Sequence, residues 1–267
     1  GILPNPLKAH IGHGFRPVFF DWFSVTIPYA RDQVDMRTYN SKAQSQSVIQ
    51  GFRRGGQSIA FVPTMGNLHE GHLDLVRRGR DLCDIVVVSI FVNPLQFGDN
   101  EDLDAYPRTM AADKEKLFGE GVQVLYAPGV EDIYPEGMKA QTQVHVPDLG
   151  DTLCGSSRPG HFDGVTTVVS KLFNIVQPDI AIFGEKDFQQ LSIVRKMVED
   201  LCMPIEIIGV NTHRDDDGLA MSSRNGYLTE DQRQVAPVLH QTLNSCREAI
   251  ACGFDNFLQL ESHARMK

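Results

Sequence analysis

Cysteine is sparse and unpatterned: five residues in 267, Cys83, Cys154, Cys202, Cys246 and Cys252, with no C-x-x-C pair and an odd total. That scatter excludes a disulfide framework and a C-x-x-C zinc site, and predicts reduced thiols in a cytoplasmic setting. Positive charge is also short, with 25 Lys and Arg against 34 Asp and Glu for a net charge of −9. A surface built to follow nucleic-acid phosphates or anionic lipid is therefore excluded, while a local basic pocket for a small anion is not. Long apolar runs are missing too. The longest, Ile85 to Val92, is interrupted by Ser89 and reaches less than half a membrane span. No internal repeat or low-complexity tract is present. The apolar fraction of 42% and charged fraction of 22% are those of a soluble globular chain, long enough for one large domain.

The two ends lack clear boundaries. Residues 1–35 show no hydrophobic periodicity, and the cluster Phe15, Phe19, Phe20, Trp22 and Phe23 stands among Asp21, Asp32 and Asp35. Those acids fit neither a secretory signal nor a transit peptide, so Met36 reads as the natural start and residues 1–35 as an extension. Glu261 to Lys267 reads as helix without a cap.

Between the ends, strands alternate with helices. Ile59 to Val62 reads as a short buried strand closed by Pro63, followed by a helix from about Gly71. Ile85 to Val92 has the continuous β-rich character of a strand covered on both faces. A charged helix at about Pro107 to Phe118 precedes a strand at Val122 to Tyr126. Val165, Val168, Val169, Leu172, Phe173 and Val176 repeat at helical spacing, and Pro178 to Phe183 is the next strand. Leu191, Val194, Val198 and Leu201 mark a helix, and Ile205 to Val210 a further strand. This alternation predicts an α/β fold with a Rossmann-like, doubly wound parallel sheet over 36–210. From Thr229, an N-cap with Asp231 in the first turn, one long helix is expected to open a smaller, truncated C-terminal domain over 211–267.

In open α/β sheets, ligands bind beyond the carboxyl ends of the strands, where loops enter helix N-termini. Four segments fall at or near such places. Pro63-Thr64-Met65-Gly66-Asn67-Leu68-His69-Glu70-Gly71-His72 joins two glycines, which permit close backbone approach, to a helix start with free N–H groups. His69 and His72 are three apart and share a helical face. The zinc-protease pattern H-E-x-x-H needs four, and neither the glycine run nor the lysine of a P-loop is present. Asn93-Pro94-Leu95-Gln96-Phe97 offers amides beside apolar groups, and equally ordinary turn chemistry. Gly184-Glu185-Lys186-Asp187-Phe188-Gln189-Gln190 places a point charge for phosphate near acids that suit ribose hydroxyls. Met221-Ser222-Ser223-Arg224 is a candidate phosphate clamp, and equally a common surface loop.

In this order the motifs resemble the pantothenate synthetase family, enzymes that join pantoate to β-alanine at the expense of ATP. The resemblance runs from about Ser47 to Ala249 and includes Asp102-Leu103-Asp104-Ala105-Tyr106-Pro107-Arg108 and Arg158-Pro159-Gly160-His161-Phe162-Asp163-Gly164-Val165. A lone H-x-G-H would indicate only the wider nucleotidyl-transferase superfamily. The long form P-T-M-G-x-L-H-x-G-H, together with V-N-P-x-Q-F and G-E-K-D, is far more specific. The resemblance implies ATP contacts at Met65 to His72, Gly184 to Asp187, Met221 to Arg224 and His213, where the family usually carries valine beside the adenine. It implies catalytic roles for His72 as proton donor, His69 and Lys186. Gln96 is the implied contact shared by pantoate and β-alanine and Gln190 an implied pantoate contact, with Asn93 and Arg158 as further implied substrate contacts. Mg²⁺ and a homodimer are implied as well, with no nucleic-acid or membrane partner. Residues 1–35 match nothing in the family, and the chain stops a few dozen residues before its C-terminal domain is complete.

The implied chemistry suits the residue types. A carboxylate condenses with an amine only after its oxygen becomes a good leaving group, which adenylation supplies. Lys186, His69, His72, Ser222 and Ser223 would stabilise charge at the phosphates. Asp113 is the weak candidate for a metal ligand, and no metal ligand is assigned. Another adenylyl or cytidylyl transferase, a non-catalytic nucleotide-binding module and a metal hydrolase using His69, Glu70 and His72 are the rival readings.

Overall fold

A computed structural model describes residues 35–98 and 101–267. The expectation for an N-terminal extension lies almost wholly outside these residues. The strands are β1 (Arg37–Tyr39), β2 (Ile59–Thr64), β3 (Ile85–Ile90), β4 (Val124–Tyr126), β5 (Ile180–Gly184) and β6 (Glu206–Val210). The helices are α1 (Lys42–Arg54), α2 (Glu70–Leu82), α3 (Met110–Gly119), the single turns α4 (Val130–Ile133) and α5 (Cys154–Ser157), and α6 (His161–Val176). They continue with α7 (Phe188–Asp200), α8 (Glu230–Val235), α9 (Val238–Ala251) and α10 (Phe257–Arg265).

The six strands form one parallel sheet in the order β1-β4-β3-β2-β5-β6. Every residue of β3 (Ile85-Val86-Val87-Val88-Ser89-Ile90) is buried, as a run apolar on both faces requires. Alternation along β2 sends Ile59 and Phe61 to a core shared with α1, α6 and α7. Ala60 and Val62 face the opposite core, closed by α2 and α3. The expected doubly wound, Rossmann-like architecture is thus the observed one.

Three expectations change in detail. The first strand does not close at Pro63 but runs through it to Thr64. Thr64 C=O accepts the Phe91 N–H on the β3 side, so the pleat turns the N–H-less Pro63 nitrogen toward β5. β5 pairs β2 only at Ala60 and Phe61, leaving no ladder bond there for Pro63 to break. The single long helix expected from Thr229 is two, α8 and α9. Thr229 does cap α8, accepting the Gln232 N–H at 3.3 Å, but Pro237 stands between the helices and supplies no N–H to carry the ladder on. The terminal segment has a boundary: α10 ends at Arg265, where Met266 donates to His263 C=O. The pair β1 and α1 had no counterpart in the sequence reading. Ser41 caps α1 through the Gln44 N–H, and only Ser45 and Ile49 of that helix are buried.

Candidate active site

The chain runs from β2 outward through β3 and β4, then returns to add β5 and β6 on the other side of β2. Between β2 and β5 the winding direction reverses, and the loops leaving these two strands part to open a crevice. A cavity of about 260 Å³ opens there, with Pro63, His69, Gln96, Gly184, Lys186 and Ser222 on its walls. Three of the four sequence segments thus reach one cavity from the ends of β2, β3 and β5, and the fourth closes it from the C-terminal segment.

The β2 loop turns sharply because Gly66 and Asn67 both take left-handed backbone, with φ of 86° and 49°. A Cβ on Gly66 would lie 3.1 Å from Ile90 and 3.2 Å from an Asp113 oxygen, so glycine is needed for space as well as conformation. The turn delivers His69 to the N-cap of α2 and His72 to its first turn. The His69 N–H points at His72 Nδ1 at 3.3 Å, and the two rings lie 4.1 Å apart. With Nδ1 accepting, the proton of neutral His72 sits on Nε2. Burial, then His69, Lys186 and Lys116, pushes the His72 pKa down to about 3. Burial, followed by Lys186, lowers that of His69 as well. His69 Nδ1 is buried against the start of α2 without a hydrogen-bond partner. Both rings are neutral near pH 7 in the free protein, against a helix N-terminus that favours an anion.

Gln96 is fixed by its neighbours. Asn93, 1% exposed, donates to Gln96 Oε1 and to Gly164 C=O, both at 3.1 Å, and accepts from the Tyr134 hydroxyl at 2.7 Å. Its amide is fully committed to positioning, while the Gln96 amide nitrogen contacts Met65 Sδ at 3.3 Å. Arg158 reaches the same cavity with its guanidinium held by Glu101 at 2.6 and 2.5 Å and by His161 at 3.0 Å. His161 turns its other nitrogen to Gln96 C=O at 2.8 Å. Its role in this wall was missed, although the R-x-x-H spacing of the 158–161 motif was the available signal.

From β5, Lys186, Asp187 and Gln190 face the cavity. Among the described residues Lys186 has one polar partner, Asp187 at 3.5 Å, so its ammonium is lightly held. Met221, Ser222, Ser223 and Arg224 close the opposite side. Ser223 Oγ donates to Asn67 C=O at 3.0 Å and Asn67 Nδ2 donates back to Ser223 C=O at 3.1 Å. Arg224 makes a two-pronged pair with Asp102 at 2.8 and 2.9 Å and lies over the Tyr106 ring. His213 lines the cavity beside Gly71, its Nδ1 2.5 Å from Asp74. Some residues of the first and third segments stand behind the wall instead. Leu68 is buried in the core, Glu70 pairs with Arg77 at 2.9 Å, and Glu185 does not line the cavity. Among the described residues no group of three or more His, Cys, Asp or Glu side chains could hold a metal ion.

Comparison with known proteins finds relatives along most of the chain. A pantothenate synthetase of Marinobacter nauticus is 56% identical over 230 residues, covering 86% of this chain and 82% of that protein. One of Pseudomonas entomophila is 59% identical over 225 residues, covering 84% and 78%. A crystal structure of the Thermus thermophilus pantothenate synthetase superposes with a TM-score of 0.81 at 48% identity, over 86% of this chain and 82% of that one. A Francisella tularensis pantoate–β-alanine ligase, complexed with a β,γ ATP ligand and β-alanine, gives 0.74 at 38%, over 78% and 79%. The pantoate–β-alanine ligase family model matches residues 37–266, and with relatives this close along most of its length the chain belongs to the pantoate–β-alanine ligase family.

Proposed function

We propose that the cavity between β2 and β5 condenses (R)-pantoate with β-alanine in two steps, through a pantoyl-adenylate, releasing pyrophosphate and then AMP. The observation that carries this reading is the meeting of an anion-binding helix start, the lightly held Lys186 and an amide wall in one crevice. In the first step the pantoate carboxylate attacks the α-phosphorus of ATP and the bond to the β-phosphate oxygen breaks. Charge accumulates on the phosphoryl oxygens and on departing pyrophosphate. His72 Nε2–H, Lys186, the Ser222 hydroxyl and the free N–H groups of α2 face that region and stabilise the charge. His69 lines the cavity beside them. Gln96, and Gln190 from α7, hold the hydroxy-acid. In the second step the β-alanine amine attacks the acyl carbon and AMP leaves, with no covalent enzyme intermediate.

ATP is the nucleotide substrate. Mg²⁺ would enter with it and would neutralise phosphate charge; no residue is assigned as its ligand and no step here is assigned to the metal. No helix among the described residues is long and apolar enough to cross a membrane, and all five cysteines are free thiols, which suits a reducing cytoplasm. A homodimer is part of the same proposal, tested by sedimentation of the full chain. The function is tested by ATP–pyrophosphate exchange with and without pantoate. Exchange should require pantoate, and β-alanine should release AMP with pantothenate. Exchange that proceeds equally without pantoate would overturn the reading.

A further inference from the structure

Behind the cavity wall, helix α3 grips the β2 loop. Asp113, in the first turn of α3, is 1% exposed. Its Oδ2 accepts the Asn67 N–H at 2.9 Å and its Oδ1 accepts the Leu68 N–H at 2.8 Å. Thr109 Oγ1 donates to Oδ2 at 3.1 Å. One turn further on, Lys116 Nζ donates to Leu68 C=O at 2.5 Å. A carboxylate this deeply buried is tolerable only when its oxygens are satisfied. The two N–H groups present themselves side by side only with Gly66 and Asn67 left-handed. Carboxylate and turn therefore specify each other. Asn67 is also the residue to which Ser223 is doubly hydrogen-bonded, so the same turn carries the loop that closes the cavity.

We propose that Asp113 is a positioning residue that holds the Gly66–Leu68 turn in its one productive shape, placing His69 and His72 on one side and the 221–224 loop on the other. Its oxygens are taken up by the Asn67 and Leu68 N–H groups and by Thr109, and it is not among the residues lining the cavity, so it acts through the turn. The proposal rests on the adenylation reading above and names a further part of its machinery.

The test is pantoate-dependent ATP–pyrophosphate exchange in saturating Mg²⁺ on the full chain and on Asp113→Asn, Lys116→Met, Ser223→Ala and the double variant Asp113→Asn/Ser223→Ala. Asparagine keeps the shape but turns an NH₂ toward one of the two backbone N–H groups. Misplacing the histidines by a fraction of an ångström should lower kcat by about 10- to 100-fold. KM for pantoate should change less than kcat, because Asn93 fixes Gln96 from the other side and Gln190 stands on α7. Lys116→Met, which strands no buried charge, should lower kcat in the same direction by less, and it decides the matter should Asp113→Asn fail to fold. The double variant should lose less than the product of the two single losses, since both act through Asn67. Unchanged kcat in folded Asp113→Asn, or in Lys116→Met where that variant decides, would overturn the proposal. So would single losses that multiply independently, or a raised Mg²⁺ requirement as the main effect, which would make Asp113 a metal ligand. Absence of exchange in the wild-type chain would instead defeat the adenylation reading itself.

Discussion

His72 shows how one side chain acquires its chemistry from its surroundings. The His69 N–H fixes its tautomer and burial fixes its charge, so it meets phosphate as a neutral Nε2–H donor. Replacing it with alanine should lower the exchange rate by about 10²–10³, the cost of one donor to a charged transition state. Folding should be little affected, and retained wild-type exchange in His72→Ala would count against the role. A pH consequence follows from the depressed pKa. The folded state keeps His72 unprotonated down to about pH 3, whereas the unfolded chain binds that proton near pH 6.5. Unfolding therefore takes up a proton between these values. The contribution is constant above pH 6.5, and stability is lost as pH falls from there toward 3. His72→Gln cannot take the proton, so its urea midpoint should fall less steeply over this window than that of the wild type.

At the scale of elements, α6 determines where Gln96 stands. The helix starts after Gly160, left-handed at φ 79°, and packs its valine-rich face on the sheet. Gly164 brings its backbone against the segment that carries Gln96. A Cβ there would fall 2.4 Å from Leu95 C=O and 2.7 Å from Gln96 Cα, both backbone atoms that cannot swing aside. Gly164→Ala should destabilise the fold by about 1–3 kcal/mol through overpacking. It should also raise KM for pantoate more than KM for ATP, because the displaced element bears the amide wall and not the α2 N-terminus. Equal shifts in both constants would show that α6 does not position Gln96 selectively. The helical spacing of Val165 to Val176 is visible in the sequence. The close approach at Gly164 is a relation between two segments about seventy residues apart, and no local pattern encodes it.

Across the whole molecule, burial is uneven. The sheet and its covering helices hold the apolar core, whereas in α8, α9 and α10 only Thr242 is buried. Leu239 and Leu243 are 69% and 57% exposed, so α9 gains little from burial. Amide hydrogen exchange should accordingly be slowest in β2 and β3 and much faster in α9 and α10, as expected of segments with few buried contacts. Equal protection of α9 and β3 would contradict that division. The cavity-closing loop is tied to the sheet part by Arg224–Asp102 and by Ser223–Asn67. The Arg224 pair is partly exposed and screened, so Asp102→Asn should change stability by less than about 1 kcal/mol. It should still speed amide exchange across residues 219–227, because one tie has gone; unchanged exchange there would show that Ser223–Asn67 and the Tyr227 hydroxyl on Ala105 C=O suffice to hold the loop.

Most of the site was legible because its chemistry is concentrated in short contiguous motifs at strand ends. Met65 to His72, Asn93 to Gln96 and Gly184 to Gln190 each name their own loop, and apolar periodicity supplies the parallel sheet that brings them together. Element β1 and helix α1 were not legible, because an apolar stripe as thin as Ile49 with Val48 and Phe52 leaves no clear period. The break at Pro237 lay in plain sight, but the apolar spacing continues across it, and spacing alone does not see a missing N–H. Other facts exist only in the folded chain: the neutral state of His72, the full commitment of Asn93 to its neighbours, and the hydrogen bonds from the Asn67 and Leu68 N–H groups to Asp113. Each depends on desolvation or on a partner from a distant segment, and both are properties of proximity in space rather than order along the chain.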